Sequence, residues 1–211
     1  MDKVRIRYLK NGRAKYLSHL DLMATMQRSF IRSEIKLKYS KGFNPHPYMS
    51  VALPLSVGLE SLCELIDVGI VDNNLIDIKN IKTPDGIKLL EAYIPNRKFS
   101  EITWIEINAR LYYDKQPSLE AVNKLKCALT KKSIIIIKKT KRGLKELDVA
   151  PYIKDVELSF EDALVLKAKV SAQNPTINAD DIVNACGELL KPEYIDFKRV
   201  EIYDSSMVIF R

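Results

Sequence analysis

Cysteine and histidine are scarce in this chain of 211 residues, which contains three of the first and two of the second. The three cysteines, Cys63, Cys127 and Cys186, are odd in number and far apart, so they form neither a CxxC pair nor a disulfide framework. This pattern excludes the class of small secreted proteins that disulfides hold together. All three cysteines lie in apolar stretches, and we expect buried free thiols, because reduced cysteine behaves as a small hydrophobe.

Long apolar runs are also missing. No segment approaches the roughly 18 apolar residues that a membrane-spanning helix needs, and the first ten residues, MDKVRIRYLK, lack the apolar stretch of a secretion signal. We therefore predict a cytoplasmic protein without membrane contact. The two histidines and Asp21 lack the close spacing that is typical of zinc or iron ligands, so the sequence predicts no metal and no cofactor.

Positive charge is concentrated in two regions of the chain. The first fifty residues carry eleven lysines and arginines against three acidic residues, and the remaining residues nearly balance within a total net charge of +7. A second cluster lies between residues 131 and 145, where seven basic residues occur without an acidic one. Clustered cations favour a polyanionic partner, because phosphate binding releases counterions. The alternative is a solvated face, which is the usual role of a charge run.

The order of the predicted strands and helices repeats once along the chain. The first set comprises strands at 3–10, 36–39, 61–71 and 87–93 with helices at 18–33 and 73–82. The second set comprises strands at 104–113, 133–139, 163–171 and 197–203 with helices at 118–130 and 178–190. This order predicts an α+β protein of two tandem ferredoxin-like (βαββαβ) units with antiparallel sheets, which cover residues 1–95 and 96–211.

The first predicted helix carries several candidate site residues. Ser18 is expected to accept a hydrogen bond from the amide of Asp21, and an acidic side chain is favourable at this end of a helix. Arg28 and Arg32 are four residues apart and share one face. Apolar residues recur at three- and four-residue spacing and predict the buried stripe of this helix, with Gln27 as its polar member. The predicted stripe consists of Leu20, Met23, Ala24, Gln27, Phe30 and Ile31.

Residues 39–47, YSKGFNPHP, form a predicted loop with an unusual composition. Pro45 and Pro47 exclude a regular helix or a central strand and push the preceding residues towards extended conformations, while Gly42 permits a positive φ. We expect a stiff backbone with projecting side chains, as in a binding loop. A rigid connection between two strands is the alternative.

Three motifs carry a resemblance to a known family. YLSHLDLM at 16–23, YSKGFNPHP at 39–47 and ALPLSVGLES at 52–61 together resemble the N-terminal signature of an uncharacterised bacterial family of radical-SAM-associated proteins. LKELDVAPYI at 144–153 is similar to a second family segment, although the family usually has arginine at the position of Ala150. The loop also departs from the family pattern, which more often has glutamine in place of Lys41 and a basic residue in place of Tyr48.

Members of that family occur alone or fused to the C-terminal side of cobalamin-binding radical SAM proteins. The resemblance therefore implies a radical SAM enzyme as a partner, and it implies no established activity. The chain itself lacks the CxxxCxxC motif that binds the iron–sulfur cluster of such an enzyme, so we do not expect it to be one.

The helix and the loop together supply cations, hydrogen-bonding groups and aromatic rings, which suit RNA. We predict an RNA-binding accessory protein that presents RNA to a modification enzyme. A metal-free endoribonuclease with His19 and His46 as acid and base is the alternative, and a small-anion-binding module is a third possibility. A simpler alternative role for both histidines is to form hydrogen bonds with backbone groups near a helix cap and a turn. The predicted binding residues are Ser18, Asp21, Arg28, Arg32, Tyr39, Lys41, Phe43 and Asn44.

Overall fold

The computed structural model describes residues 3–71, 77–140, 143–187 and 191–211. The chain forms two compact units, one of Met1–Glu101 with Arg211 and the other of Ile102–Phe210. Both units mix α-helices with β-sheets, and the described strand pairs within each unit are antiparallel. The predicted combination of helices with antiparallel sheets is therefore confirmed. None of the helices in the described ranges has the length and apolar character to cross a bilayer.

In its described residues, the first unit contains one α-helix and four strands. Its sheet has the order β4-β1-β3-β2. The strands are β1 (Lys3–Lys10), β2 (Met49–Val51), β3 (Glu60–Gly69) and β4 (Ile87–Tyr93), and the helix is α1 (His19–Arg32). Short 3-10 helices occur at Gly12–Tyr16, Ile78–Asn80 and Phe99–Glu101.

The core of the first unit lies between α1 and the sheet. Along β1, Val4, Ile6 and Tyr8 are buried at every second position, as expected for a strand with one face against a helix. The helix covers this face with Met26 and Phe30, which are completely buried. Burial of such side chains is worth roughly 1.5–3 kcal/mol each, so this contact determines how the helix is rotated.

The predicted buried stripe of α1 is wrong at both of its ends. Leu20 is 78% exposed and Ile31 is 50% exposed. The buried residues are Leu22, Met26, Ser29 and Phe30. The helix has apolar residues on two adjacent stripes, and the periodicity alone does not decide between them. The sheet selects the stripe that contains Met26 and Phe30; Met23 packs at the edge of the core, and Leu20 and Ile31 remain exposed.

The second unit contains two α-helices and six strands in its described residues. Its main sheet has the order β10-β5-β9-β8, and β6 and β7 form a separate hairpin. The strands are β5 (Trp104–Tyr112), β6 (Ile135–Thr140), β7 (Gly143–Asp148), β8 (Ile153–Phe160), β9 (Leu164–Ser171) and β10 (Tyr194–Tyr203). The helices are α2 (Leu119–Leu129) and α3 (Ala179–Ala185), and a 3-10 helix occurs at Ala150–Tyr152.

Several predicted elements differ from those observed. Strands β7 and β8 were not predicted. The helix predicted at 73–82 is a single 3-10 turn over its described part, and its residues 73–76 lie outside the described residues. The helix predicted at 178–190 ends at Ala185, and residues 188–190 lie outside the described part of the chain. Cys127 is exposed on α2, whereas Cys63 and Cys186 are buried as expected. The buried residues Val122, Leu125 and Leu129 define the inner face of α2, and Cys127 lies off that face.

The hairpin of β6 and β7 is held in the second unit by polar contacts at two places, one in the middle of β6 and one at the open end of the hairpin. The Lys138 ammonium pairs with the carboxylate of Asp181 and donates to the carbonyl of Thr176. Asp148 accepts hydrogen bonds from the backbone amides of Ile134 at 2.8 Å and of Ala150 at 3.0 Å. These amides stabilise the carboxylate and lower the pKa of Asp148 below its usual value.

Candidate functional site

The first turn of α1 contains three of the predicted site residues. Ser18 caps the helix, and its hydroxyl oxygen accepts a hydrogen bond from the Asp21 amide at 3.2 Å. The same hydroxyl donates to the Asp21 carboxylate at 2.7 Å. Ser18 and Asp21 therefore form the predicted cap, which occupies part of their hydrogen-bonding capacity. His19 is the first residue of the helix, and it is exposed.

The loop at residues 39–47 is closed at its base and exposed at its tip. Tyr39 forms a β-bridge with Pro47, and the amide of Ser40 donates to the carbonyl of His46 at 2.8 Å. The His46 amide donates in return to the Ser40 hydroxyl at 2.9 Å. All residues from 41 to 46 are exposed, and the ring of Phe43 is fully exposed. The side chains of the loop therefore project from a hydrogen-bonded base, as expected, and the stiffness of its backbone stays a prediction.

Two glycines shape this loop and its base. Gly42 has φ of +128°, a conformation that other residues rarely adopt, although a Cβ there would meet no atom within 4 Å. Gly69, at the end of β3, allows both flanks of the loop to approach closely. A Cβ at this glycine would lie 3.0 Å from the Cβ of Tyr48 and 3.4 Å from that of Lys38. The Lys38 amide donates to the Gly69 carbonyl at 2.9 Å, which ties the loop base to the sheet.

A basic cavity lies beside α1, and we call it the arginine cleft. Its volume is about 360 Å³. One wall comes from α1, which contributes Thr25, Arg28 and Arg32 at three- and four-residue spacing. The other described lining residues come from the segment after β1 and from the turn before β4. They are Arg13, Ala14, Leu17, Pro84 and Asp85.

The turn before β4 reaches the cleft because Gly86 has no side chain. Gly86 has φ of +82°, and a Cβ there would lie 2.4 Å from the Asn11 carbonyl oxygen and 2.8 Å from the Cβ of Ala14. The Asn11 amide donates to the Gly86 carbonyl at 2.9 Å. This close approach holds Pro84 and Asp85 against the segment that carries Arg13. The cleft is thus built from three separate parts of the chain.

The three guanidinium groups of the cleft are available for a ligand. In the described part of the chain, no carboxylate forms a salt bridge with Arg13, Arg28 or Arg32. Guanidinium groups bind phosphates through paired hydrogen bonds, and Ala14 and Leu17 contribute apolar lining to the same cavity. The cleft is therefore suited to a phosphorylated ligand.

The structure brings together only some of the predicted site residues. Arg28 and Arg32 share the arginine cleft, as their spacing predicted. The described lining residues all lie outside the loop, so Tyr39, Lys41, Phe43 and Asn44 form a separate exposed surface. Sequence reasoning did not select Arg13, Thr25 or Asp85 as site residues. Thr25 could have been predicted, because it lies three residues before Arg28 and therefore on the same face of the helix. Arg13 and Asp85 could not, because no local sequence pattern indicates that they approach α1.

The two histidines do not form a catalytic arrangement within the described residues. Neither the imidazole of His19 nor that of His46 forms a hydrogen bond or an ion pair with another described residue. No three His, Cys, Asp or Glu side chains in the described ranges are placed to hold a metal ion.

Comparison with known proteins identifies a family without an assigned activity. No curated protein matches the chain. Residues 3–179 match the model of a family described as uncharacterised proteins conserved in bacteria (DUF2344). This match includes the whole of the arginine cleft and the loop at 39–47. Because the match extends over most of the sequence, the chain belongs to this family of uncharacterised bacterial proteins.

Proposed function

We propose that this chain is an RNA-binding accessory protein, and that the first unit holds RNA phosphates in the arginine cleft. The observation that carries the proposal is the group of three arginines around one cavity, none of which pairs with a carboxylate of the described residues. Each guanidinium can bind a phosphate in a bidentate manner, and phosphates of adjacent nucleotides satisfy several cations at once. The acidic Asp85 at the rim can accept hydrogen bonds from ribose hydroxyls.

The loop at residues 39–47 supplies the second part of the proposed interface. RNA is recognised most specifically through unpaired bases, which stack on aromatic side chains. The fully exposed ring of Phe43 is available for such stacking, and Lys41 and Asn44 are exposed beside it. A ligand held by phosphates in the cleft and by a base on the loop must have more than one nucleotide. This requirement favours single-stranded RNA over a small anion.

Arg5, on the opposite face of β1 from α1, is not available to an RNA phosphate. Arg5 is 1% exposed, and its guanidinium donates to both carboxylate oxygens of Asp67, at 2.7 and 3.0 Å. It also donates to the Arg97 carbonyl and lies 4.2 Å from the centre of the Phe99 ring. These contacts satisfy the positive charge within the first unit. Arg5 is therefore excluded from the phosphate-binding role, which we assign to the cleft beside α1.

The strand orders support a ferredoxin-like assignment for both units as part of this proposal. In each main sheet, the last strand in sequence lies next to the first, followed by two more antiparallel strands. This is the arrangement expected for a split βαβ unit. The second unit then differs by the insertion of the hairpin β6–β7, and the first unit has a 3-10 turn where its second helix is expected.

Fluorescence anisotropy with a labelled single-stranded RNA tests the proposed interface. We expect Arg13→Ala to weaken binding as much as Arg28→Ala, because both guanidinium groups line the same cleft. Phe43→Ala should weaken binding about 5- to 150-fold, the loss expected when one base stack is removed. Phe160→Ala removes a partly exposed ring from the second unit and serves as the matched control.

The same assay distinguishes binding from cleavage. Incubation of the labelled RNA with the protein in EDTA should leave the RNA intact. Specific cleavage that disappears in His19→Ala or His46→Ala would show that the chain is a metal-free endoribonuclease and would overturn the accessory role. Absence of binding at low salt by the unmodified protein would refute the RNA proposal altogether.

The proposal includes a protein partner. The resemblance to radical-SAM-associated proteins implies that this partner is a radical SAM enzyme. The exposed apolar residues Leu20 and Ile31 on α1 are the candidate contact, because such side chains gain most from burial by another protein. The double variant Leu20→Ser and Ile31→Ser should lose co-purification with a cobalamin-binding radical SAM enzyme and keep its RNA affinity. Retained co-purification would exclude this face of α1.

A further inference from the structure

A second cavity, of about 320 Å³, lies in the second unit and does not depend on the RNA proposal. It is lined by residues 111–113 at the end of β5, by Gln116 and Pro117, and by residues 160–164 between β8 and β9. Strand pairing brings these segments together, since Leu111 and Phe160 both pair with Leu164. A cavity of this size can accommodate a small ligand or a single side chain.

Three of the residues that line the cavity are aromatic, namely Tyr112, Tyr113 and Phe160. Phe160 is 40% exposed and Tyr112 is 36% exposed, so both rings are accessible. Tyr112 packs against Tyr194 with ring centres 5.7 Å apart and an angle of 39° between the rings, which restrains its orientation. Tyr113 contributes a third ring, and burial raises the pKa of its hydroxyl to about 12, so it stays neutral at physiological pH.

Two carboxylates at this cavity pair with a single cation. Glu161 and Asp162 are both exposed lining residues, and both accept hydrogen bonds from Arg110, at 3.2 and 3.0 Å. One guanidinium thus faces two carboxylates, and each carboxylate can accept further donors. The local negative charge contrasts with the net charge of +7 for the chain.

A nearby pair of acids adds to the negative charge. The amide of Glu193 donates to the carbonyl of Tyr112 at 2.9 Å, which places Glu193 at the same end of the sheet. A hydrogen bond with Asp114 raises the pKa of the Glu193 carboxyl above its usual value. Two further acidic side chains therefore lie close to each other at this end of the sheet, next to the cavity but outside its lining.

We infer that this cavity, which we call the aromatic–acidic pocket, binds the alkylammonium group of an organic cation. Aromatic faces attract such groups through their negative quadrupole, and flanking carboxylates contribute charge attraction. An inorganic cation is the poorer fit, because no three His, Cys, Asp or Glu side chains of the described residues are placed to hold a metal ion. An anion or a nucleic-acid phosphate would be repelled by Glu161 and Asp162.

Titration of the full-length chain followed by NMR tests this inference with choline as the probe. Its neutral isostere 3,3-dimethyl-1-butanol has the same shape without the charge. We expect saturable chemical-shift changes with choline at residues 111–113 and 160–164, and none with the isostere. Equal binding of both compounds would show that the cavity recognises apolar shape alone and would overturn the inference.

Variants locate the binding and remain informative because the altered side chains are exposed. Phe160→Leu keeps an apolar side chain without a π face and should weaken choline binding about 2- to 30-fold. Glu161→Gln should weaken it as well, whereas Phe43→Leu, in the loop of the first unit, should leave it unchanged. Unchanged affinity in both Phe160→Leu and Glu161→Gln would refute the assignment of the pocket.

A final comparison distinguishes two sources of the alkylammonium group. A short peptide with a trimethyllysine tests a protein side chain, and choline tests a free small-molecule quaternary ammonium. Tighter binding of the peptide identifies a protein segment as the ligand, and equal or tighter binding of choline identifies a free small molecule. Failure of both to bind would overturn the inference and leave the RNA proposal unaffected.

Discussion

Removal of two arginines from the arginine cleft should change RNA affinity and also its dependence on salt. Arg28 and Arg32 lie one turn apart on α1 and both line the cleft, and no carboxylate of the described residues pairs with either. Both are exposed, so substitution by alanine removes charge without opening the core. Alanine is also a strong helix former, so the double variant should keep α1 intact.

The size of the effect follows from counterion release. For single-stranded nucleic acid, each phosphate contact contributes about 0.7 to the slope of log affinity against log salt concentration. Loss of two contacts should lower the magnitude of that slope by about 1.4. The two affinities are taken as equal at about 1 M salt, where the contribution of counterion release vanishes. The unmodified protein should then bind about 60-fold more tightly than the variant at about 0.05 M salt, and about 5-fold more tightly at about 0.3 M.

Anisotropy measurements over a series of salt concentrations give both slopes. The matched control is the double variant Lys124→Ala and Lys126→Ala, which removes the same charge from the exposed surface of α2 in the second unit. We expect its slope to equal that of the unmodified protein. An unchanged slope in the Arg28 and Arg32 variant, or an equal decrease in the control, would refute the assignment of phosphates to the cleft.

Three further predictions concern the fold that holds these sites. Gly86→Ala should lower the free energy of unfolding by at least roughly 1–3 kcal/mol, because alanine is strained at the positive φ of this position, and it should also weaken RNA binding. An unchanged denaturant midpoint would contradict the close approach of the turn to Asn11 and Ala14. The Asp148 carboxylate has a folded pKa below its ordinary value of 3.8, so its contribution to stability is present above that pH and is lost as the pH falls through the folded pKa. The stability deficit of Asp148→Asn should therefore be present at pH 6 and shrink below about pH 3.8, whereas a deficit independent of pH would exclude this role. Thiol labelling of the native protein at pH 8 should modify the exposed Cys127 and spare Cys186, because burial raises the pKa of Cys186 to about 12. Similar modification rates of the two thiols, measured by mass spectrometry, would contradict this difference in exposure.

The position of α1 in the sequence was predictable, but its rotation was not. Ser18 and Asp21 give a local signal for the helix start, because a cap depends on residues three positions apart. The rotation depends on residues that are distant in sequence, since Met26 and Phe30 pack on strands from both ends of the first unit. Two apolar stripes satisfied the same helical periodicity, and only the sheet distinguishes between them.

Strand β8 was missed for a local physical reason. A strand with one buried face alternates apolar and polar residues, but the register of β8 shifts between Lys154 and Glu157. Asp155 has φ of +52° at this irregularity, which interrupts the two-residue period. Strand β7 was missed because most of its residues are exposed in a two-stranded hairpin, so it has little apolar alternation.

Fewer basic residues are available to bind phosphate than the sequence contains, because some of the cations already pair with carboxylates within the fold. Arg5 is buried against Asp67, and Lys138 of the second basic cluster pairs with Asp181 at the start of α3. Loss of Lys138 would leave the nearly buried Asp181 without this partner, so charge removal in the hairpin would alter folding together with any binding. Arg28 and Arg32 form no such pairs among the described residues, and their removal therefore reports on binding alone. This difference in internal pairing, which the sequence does not reveal, is why the cleft beside α1 is the better candidate for the RNA site.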